Sequence, residues 1–232
     1  MYVVQGLQTR SLSEYHDLLD ESLIEEIRAL AEPLKGVRVA HVNATQSGGG
    51  VAEIMHSIIP LYRDLGIDAS WLVLDGEPDF FDVTKAMHNA LQGQSHEFTE
   101  KEWDTYLRVN KQNAEDLDGQ FGVMFVHDPQ PAAIRQFRPS AASKWIWRSH
   151  IDTSAPNIQA WNFIIEQVAG YDAAIFSLDD FVGSGLEVAH LAIMPPAIDP
   201  FVPKNRSYSH KVASEVVASH GVDINKPFIS QI

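Results

Sequence analysis

Short apolar segments alternate with amphipathic ones along most of this chain, and that alternation limits the folds open to it. The apolar segments are mostly apolar at successive positions, a pattern typical of parallel strands that are covered on both faces. They lie at residues 37–44, 69–74, 122–127, 144–149, 173–177 and 191–194. Helices are predicted at residues 50–65, 82–91, 100–116, 158–168 and 208–219. The predicted fold class is therefore α/β, a Rossmann-like, doubly wound and mostly parallel sheet.

The helix predicted at 50–65 has a proline near its end and a glycine directly after it. Pro60 lies inside the apolar periodicity, where a proline costs roughly 3 kcal/mol, so we predict a bend near the last turn. Gly66 is predicted to end the helix. Residues 11–31 predict a helical region within an N-terminal extension, residues 1–36, ahead of the first strand.

Composition and charge exclude several classes of function. Hydrophobic residues make up 45% of the 232 residues, as in folded proteins. The formal net charge of −14 argues against nucleic-acid and anionic-membrane partners, because both require a basic surface. The absence of cysteine excludes disulfides, thiolate metal sites and a cysteine nucleophile. Without a signal-peptide pattern or about 18 consecutive apolar residues, the sequence predicts a soluble cytoplasmic protein.

Three consecutive glycines, Gly48, Gly49 and Gly50, connect the first predicted strand to the helix that follows it. Backbone N–H groups and the positive end of a helix dipole converge at such a loop and can bind an anion. The spacing matches neither G-x-G-x-x-G nor the P-loop. A plain strand-to-helix turn explains the glycines equally well. A helix terminus contributes about 0.3–2 kcal/mol, against about 8 kcal/mol for a micromolar ligand, so the loop alone cannot hold a nucleotide.

Histidine, carboxylate and amide side chains follow the next two strands of the predicted sheet. They are His127, Asp128 and Gln130 after one strand, and His150 and Asp152 after the other. Ligands of doubly wound sheets bind at the carboxyl ends of the strands, so these side chains are candidates for binding sugar hydroxyls. A strand-ending turn is the alternative for the first group. No third ligand with diagnostic spacing accompanies His150 and Asp152, and a metal site is not predicted.

Several segments occur in an order that is more specific than any one of them. They are SGGGVAEIMHSIIPLYRDLGIDASWLVLDG, FFDVTKAMHNALQG, VHDPQPAA, WRSHID and MPPAIDP. From about residue 37 onward the chain resembles the glycosyltransferring trehalose synthases, which belong to the large retaining glycosyltransferase family that also contains sucrose and glycogen synthases. Fungal trehalose phosphorylases share parts of this pattern. The resemblance implies the N-terminal half of a GT-B fold.

The resemblance also implies a reaction and site residues. Glucose would pass from a nucleoside diphosphate glucose to free glucose with retention of configuration, giving trehalose, and no metal or cofactor would be required. His150 would lie beside the transferred glucose as the catalytic residue, and the three glycines would approach the donor diphosphate. The residues implied for the acceptor sugar are Asp152, His127, Asp128, Gln130, Asn43 and Thr45.

A division into domains follows from the same resemblance. Residues 37–225 would form the acceptor-side domain, and residues 226–232 would begin a second domain that binds the nucleotide sugar. The printed chain alone is then expected to bind the donor poorly and to turn over little. A trehalose phosphorylase domain and a non-catalytic sugar-binding or assembly module stay open as alternatives. An apolar face that a second domain normally covers would also favour a homo-oligomer.

Overall fold

The computed structural model describes residues 1–205 and 207–229. The contacts divide the chain into two compact units, Met1–Ala197 and a second unit that begins at Ile198. The first unit is built around a seven-stranded sheet. Its strands are β1 (Tyr2–Val3), β2 (Arg38–Asn43), β3 (Asp68–Val73), β4 (Phe121–His127), β5 (Ala142–Arg148), β6 (Ala173–Phe176) and β7 (His190–Ile193).

The sheet has the order β1-β3-β2-β4-β5-β6-β7. All neighbouring strands are parallel except β1 and β3, which pair antiparallel. Strands β2 to β7 coincide with the six predicted segments to within two residues at either end. Strand β1 was not predicted, because two residues are too short to show a periodicity. The predicted α/β, mostly parallel sheet is confirmed.

Seven α-helices lie in the described part of the chain. They are α1 (Glu21–Ala31), α2 (Gly50–Asp64), α3 (Pro78–Leu91), α4 (Glu100–Glu115), α5 (Ile134–Phe137), α6 (Ile158–Val168) and α7 (His210–Ser219). The helical region predicted at 11–31 is in fact two pieces, a 3-10 helix at Leu12–Tyr15 and then α1. Among the described residues, every helix is too short or too polar to span a membrane.

Two helix boundaries show how local chemistry sets them. Helix α3 begins four residues earlier than predicted, at Pro78, which occupies a first-turn position where no N–H is needed. Helix α2 continues through the buried Pro60, and Gly66 follows it with a φ of +85°, as expected for a glycine that ends a helix. The bend near Pro60 stays a prediction.

Strand side chains alternate between two packed faces of the sheet. On one face, Val42 of β2 and Val126 of β4 belong to the largest hydrophobic cluster, together with residues of α3, α4 and α6. On the other face, Trp71 of β3 packs with α2, and Val39 of β2 packs with the end of α1. Helices therefore cover both faces, which explains why the strands are apolar at successive positions.

The chain reverses its direction of travel across the sheet at β2. Strand β2 pairs with β3 on one side and with β4 on the other, so the connections from β2 and from β3 diverge. The carboxyl ends of β2, at Asn43, and of β4, at His127, consequently lie side by side. A crevice at such a switch point is where ligands bind in doubly wound folds.

The second unit is small and contains a 3-10 helix, Pro203–Asn205, followed by α7. The predicted domain boundary between residues 225 and 226 lies inside this unit. Of the segment predicted to begin a further domain, residues 226–229 form neither helix nor strand. Residues 230–232 of that prediction lie outside the described residues.

Burial along α1 gives a test of how firmly this helix is part of the fold. Ile24 is fully buried, whereas Leu30 on the same helix is 66% exposed. We expect Ile24→Ala to lower the free energy of unfolding by about 2–5 kcal/mol, because it removes buried methyl groups and leaves a cavity. Leu30→Ala is the matched control, with a change within about 0.5 kcal/mol. Urea denaturation measures both, and equal losses would contradict this packing.

Candidate functional site

A cavity of about 470 Å³ lies at the carboxyl ends of β2, β4 and β5, beside the N-terminus of α2. Nine of the ten residues predicted for the site line it. They are Asn43, Thr45, Gly48, Gly49, Gly50, His127, Asp128, Gln130 and His150. These residues come from segments up to about a hundred positions apart, and parallel strand pairing brings them together. Their roles toward a ligand stay predictions.

Asp152 is the predicted site residue that does not line this cavity. Its side chain is exposed, and its Oδ1 accepts a hydrogen bond of 2.9 Å from the backbone N of Ser154. Hydrogen bonding from the Ser154 side chain, together with that backbone bond, lowers the pKa of the Asp152 carboxyl below its ordinary value. The carboxylate therefore stabilises a local turn, although it follows His150 by only two positions.

The glycine loop has a conformation that explains two of its three glycines. Gly48 and Gly49 have φ angles of +76° and +88°, and Gly49, with a ψ of 157°, lies in a region that is essentially restricted to glycine. Gly50 shows no such φ. A Cβ at any of the three positions would meet no atom within 4 Å. The turn therefore requires Gly48 and Gly49, and the open space beside all three leaves room for a ligand.

The start of α2 also leaves backbone donors available. Gly49 is the N-cap residue and supplies no side-chain hydrogen bond to the first turn. The first N–H groups of a helix lack intrahelical acceptors, so they can donate to an anion. Thr45 shapes the loop before this point, because its Oγ1 donates to the Ser47 carbonyl at 2.8 Å and accepts from the Ser47 N–H at 3.2 Å.

Both polar atoms of the Asn43 amide form hydrogen bonds within the protein. Its Nδ2 donates to the Thr45 carbonyl at 2.8 Å, and its Oδ1 accepts from the Trp71 indole N–H at 2.8 Å. The side chain is 4% exposed. Asn43 thus fixes the beginning of the glycine loop to β3 more than it offers groups to a ligand.

Three histidines form a continuous hydrogen-bonded row from the interior to the cavity. The Nδ1 of His41 lies 2.9 Å from the Nε2 of His127, and the Nδ1 of His127 lies 2.9 Å from the Nε2 of His150. The planes of neighbouring rings are inclined by 26° and 14°, with ring centroids 5.2 Å apart in both pairs. We call these three residues the histidine row. His41 stands at its buried end and His150 at its cavity end.

The histidine row is uncharged near neutral pH. Burial lowers the pKa of His41 to about 3 and that of His150 to about 4, from an ordinary value of 6.5. Burial also lowers the pKa of His127 well below that value, and the neighbouring rings and Arg148 lower it further. The cavity therefore meets a neutral imidazole at His150, suited to hydrogen bonding with an uncharged hydroxyl.

Asp128 joins the ends of β4 and β5. Its φ of +62° is one that aspartate tolerates better than most residues. The Oδ1 of Asp128 accepts a 2.8 Å hydrogen bond from the backbone N of His150, and its carbonyl accepts one of 3.0 Å from the Trp147 indole. Burial raises the pKa of the Asp128 carboxyl from 3.8 to about 6. Asp128 lies in the bend that follows β4, and its carboxylate positions the main chain of His150.

The structure adds residues that the sequence did not single out. Ser177 follows β6 and lines the cavity, and the rule of strand ends would have found it. His88 of α3 also lines the cavity, and no spacing signal marks it. A second hollow of about 440 Å³ shares Thr45, Gln130 and His88 with the first and is also lined by Lys85. His41 gave no signal, because it lies inside a strand.

Comparison with solved structures defines the class of the fold. A trehalose-6-phosphate synthase matches with a TM-score of 0.56 at 16% identity, covering 80% of this chain and 56% of that one. The N-terminal domain of a Candida albicans trehalose-6-phosphate phosphatase matches with a TM-score of 0.53 at 11% identity, covering 80% and 54%. At such identities the likeness shows the fold alone, which is the Rossmann-like domain of GT-B glycosyltransferases.

Sequence comparison gives the family. The family described as trehalose synthase, N-terminal domain, matches residues 41–183. A trehalose synthase of Rubrobacter xylanophilus is 41% identical over 96% of this chain and 55% of its own length. That of Thermococcus litoralis is 43% identical over 98% and 55%. The chain belongs to the trehalose synthase family, as the resemblance implied, and it spans about 55% of the length of these relatives.

A more distant relationship links the chain to phosphorylases. A trehalose phosphorylase of Grifola frondosa is 27% identical over 81% of this chain and 29% of its own length. The shared pattern that the sequence showed with fungal phosphorylases is therefore present, at lower identity than with the synthases.

The backbone of the glycine loop predicts different effects of the same substitution at adjacent positions. Gly49→Ala should lower the free energy of unfolding by about 1–3 kcal/mol, because alanine is strained at this φ and ψ. Gly50→Ala is the control and should be neutral or stabilising by up to about 1 kcal/mol, since its Cβ meets nothing within 4 Å. Thermal and urea unfolding measure the difference. Equal effects would show that Gly49 does not hold this conformation.

Stability should fall as the pH falls from 7 to 5. A histidine whose folded pKa is lowered binds fewer protons than in the unfolded chain, so protonation favours unfolding below about pH 6.5. His41 and His150 should each cost about 2 kcal/mol at pH 5. Asp128 works in the opposite direction between pH 6 and 4, because its folded pKa is raised, and offsets part of this loss.

The comparison of wild type with His41→Asn isolates one of these contributions. Urea unfolding at pH 7 and at pH 5 should show that the loss of stability on acidification is smaller in the variant by about 2 kcal/mol. An unchanged loss would mean that His41 is not buried and neutral in the folded chain.

Proposed function

We propose that this chain is the acceptor-side domain of a retaining glycosyltransferase that transfers glucose from a nucleoside diphosphate glucose to free glucose and forms trehalose. The observation that carries the proposal is the convergence of nine predicted residues on one cavity at the switch point of the sheet. Membership of the trehalose synthase family supports the choice of substrates.

His150 is proposed as the residue that contacts the transferred glucose. Its Nε2 is taken up by His127, so Nδ1 is the ring nitrogen left for a sugar hydroxyl. Because the ring is neutral, it can form a hydrogen bond with an uncharged sugar hydroxyl. Its main chain is held by Asp128, and its side chain is held by His127, so the ring is placed before the ligand arrives.

The glycine loop is proposed to face the donor diphosphate. The N–H groups at the start of α2 and the open space beside Gly48, Gly49 and Gly50 suit an anion. A helix terminus supplies only about 0.3–2 kcal/mol, so the loop forms one wall of a donor site. Since the relatives are nearly twice as long as this chain, we propose that a further domain provides the other wall. The proposed reaction needs no metal.

The acceptor glucose is proposed to occupy the cavity near Thr45 and Gln130. These two side chains line both the main cavity and the neighbouring hollow, so they can meet a second sugar beside the one at His150. His88 and Lys85 also line that hollow and would supply further polar contacts. Asp152, which is exposed and turned into its own loop, has a weaker place in this proposal.

A phosphorylase reaction is the second candidate, and one observation favours it. The glycine loop would accept inorganic phosphate as readily as a diphosphate, and a Grifola frondosa trehalose phosphorylase shares the region at 27% identity. The higher identity to the synthases, 41% and 43%, places the synthase reaction first.

A chimera tests the proposal. In the chimera, this chain replaces the matching 55% of the Thermococcus litoralis trehalose synthase. The purified chimera is incubated with a nucleoside diphosphate glucose and ¹³C-glucose. We expect labelled trehalose, and His150→Ala should lower its rate of formation by on the order of 100-fold, the effect of losing one preorganised hydrogen bond near the reacting centre. His16→Ala, at an exposed histidine outside the cavity, should leave the rate unchanged.

The other outcomes separate the alternatives. Formation of glucose 1-phosphate from trehalose and phosphate, without synthesis from the nucleotide sugar, would favour the phosphorylase. A folded chimera that forms neither product but binds glucose would favour a non-catalytic sugar-binding module. Equal rates in His150→Ala and in the unsubstituted chimera would remove His150 from the reaction.

A further inference from the structure

We infer that His41 and His127 are positioning residues that hold His150 as its Nδ1–H tautomer, so that the cavity presents a hydrogen-bond donor at this point. His41 does not line the cavity and would act through two hydrogen bonds in series. The inference rests on the proposed function only for the identity of the ligand that His150 meets.

The number of protons restricts the histidine row to two arrangements. Each neutral imidazole has one N–H donor and one acceptor nitrogen. His127 uses both nitrogens within the row, so one of them must donate and the other must accept. With one proton in each of the two hydrogen bonds, the three rings are either all Nε2–H or all Nδ1–H. The tautomer of His41 therefore fixes the tautomer of His150.

The lack of a partner at the buried end of the histidine row favours one of these arrangements. The Nε2 of His41 is buried and has no hydrogen-bond partner among the described residues. In the all-Nε2–H arrangement this nitrogen would carry a buried N–H without an acceptor, and among backbone groups such orphaned donors are rarer than under-used acceptors. In the all-Nδ1–H arrangement the nitrogen carries only an unused lone pair. The second arrangement is favoured.

The surroundings of His41 strengthen that choice. The Phe125 ring lies parallel to the His41 ring at 4.5 Å with an interplanar angle of 8°. An N–H bond lies in the plane of its own ring, so the face of Phe125 cannot serve as its acceptor. The Tyr62 ring lies 5.7 Å from His41 and is tilted by 49°, and its hydroxyl is not a hydrogen-bond partner of the His41 Nε2. His41 is 3% exposed, which leaves little access for water.

The consequence at the cavity concerns which ligand atoms fit. With Nε2 of His150 accepting from His127, its Nδ1–H donates to a ligand, and the partner atom must be an oxygen with a free lone pair. A sugar hydroxyl meets this condition through its oxygen. A group that can only donate, such as an ammonium, would find no acceptor at this ring.

The experiment measures ring tautomers directly. A chain labelled with ¹⁵N in histidine is studied by NMR at pH 7.5 without a ligand, and the two nitrogen resonances of each ring show which one is protonated. We expect Nδ1–H for His41, His127 and His150. Nε2–H at His150, or different tautomers within the row, would overturn the inference. Because no ligand is present, this result is independent of the proposed reaction.

A pair of substitutions at His41 tests transmission along the histidine row. The amide of His41→Asn can donate to Nε2 of His127 through its Nδ2 or accept from it through its Oδ1, so this variant imposes no tautomer and is the control for loss of the buried ring. The carboxylate of His41→Asp can only accept, so both remaining rings should change to Nε2–H. If the new carboxyl is protonated, it donates and His150 keeps Nδ1–H, so the His150 tautomer must follow the ionisation read from the ¹³C carboxyl resonance.

One result in these variants would contradict a positioning role, namely a His150 tautomer that stays the same whether the new carboxyl is ionised or protonated. A purely structural role for His41 would lower stability in both variants without moving the tautomer of a ring two hydrogen bonds away. If His41→Asp fails to fold, the wild-type spectrum decides.

Discussion

Parallel pairing of β2 with both β3 and β4 is the constraint on which the rest of this structure depends. It forces the chain to leave β2 in one direction across the sheet and to return at β4 in the other. The gap between the diverging connections is the cavity, and the N-terminus of α2 opens onto it because α2 directly follows β2. A different strand order would separate Asn43 from His127, and these residues would no longer line one cavity.

Much of this arrangement could be predicted from the sequence, because burial on both faces leaves a local signature. Each strand from β2 to β7 is an apolar run, and polar residues that follow such runs in a parallel sheet meet at one edge. Strand β1 and helix α5 are too short for a periodicity. Asp152 shows the limit of the strand-end rule, since a hydrogen bond to Ser154 two residues later directs its carboxylate into a turn.

Contacts inside the sheet could not be predicted from the sequence, for a different reason. His41 occupies a strand position that looks like any other half-buried residue, and its partner His127 is 86 positions away. Only the register between β2 and β4 places the two rings at hydrogen-bonding distance. The glycine loop is an intermediate case. The sequence left a turn and an anion site as alternatives, and the backbone shows that Gly48 and Gly49 serve the turn while Gly50 has no conformational need to be glycine.

The histidine row has a consequence for how this domain can change. In the proposed arrangement each ring sets the proton on the next, so His41 within β2, His127 at the end of β4 and His150 just after β5 act as one unit. A replacement that reverses one hydrogen bond of the row reverses the other and turns His150 from a donor into an acceptor at the cavity. Position 41 of this domain should therefore tolerate side chains that donate to His127 better than side chains that can only accept.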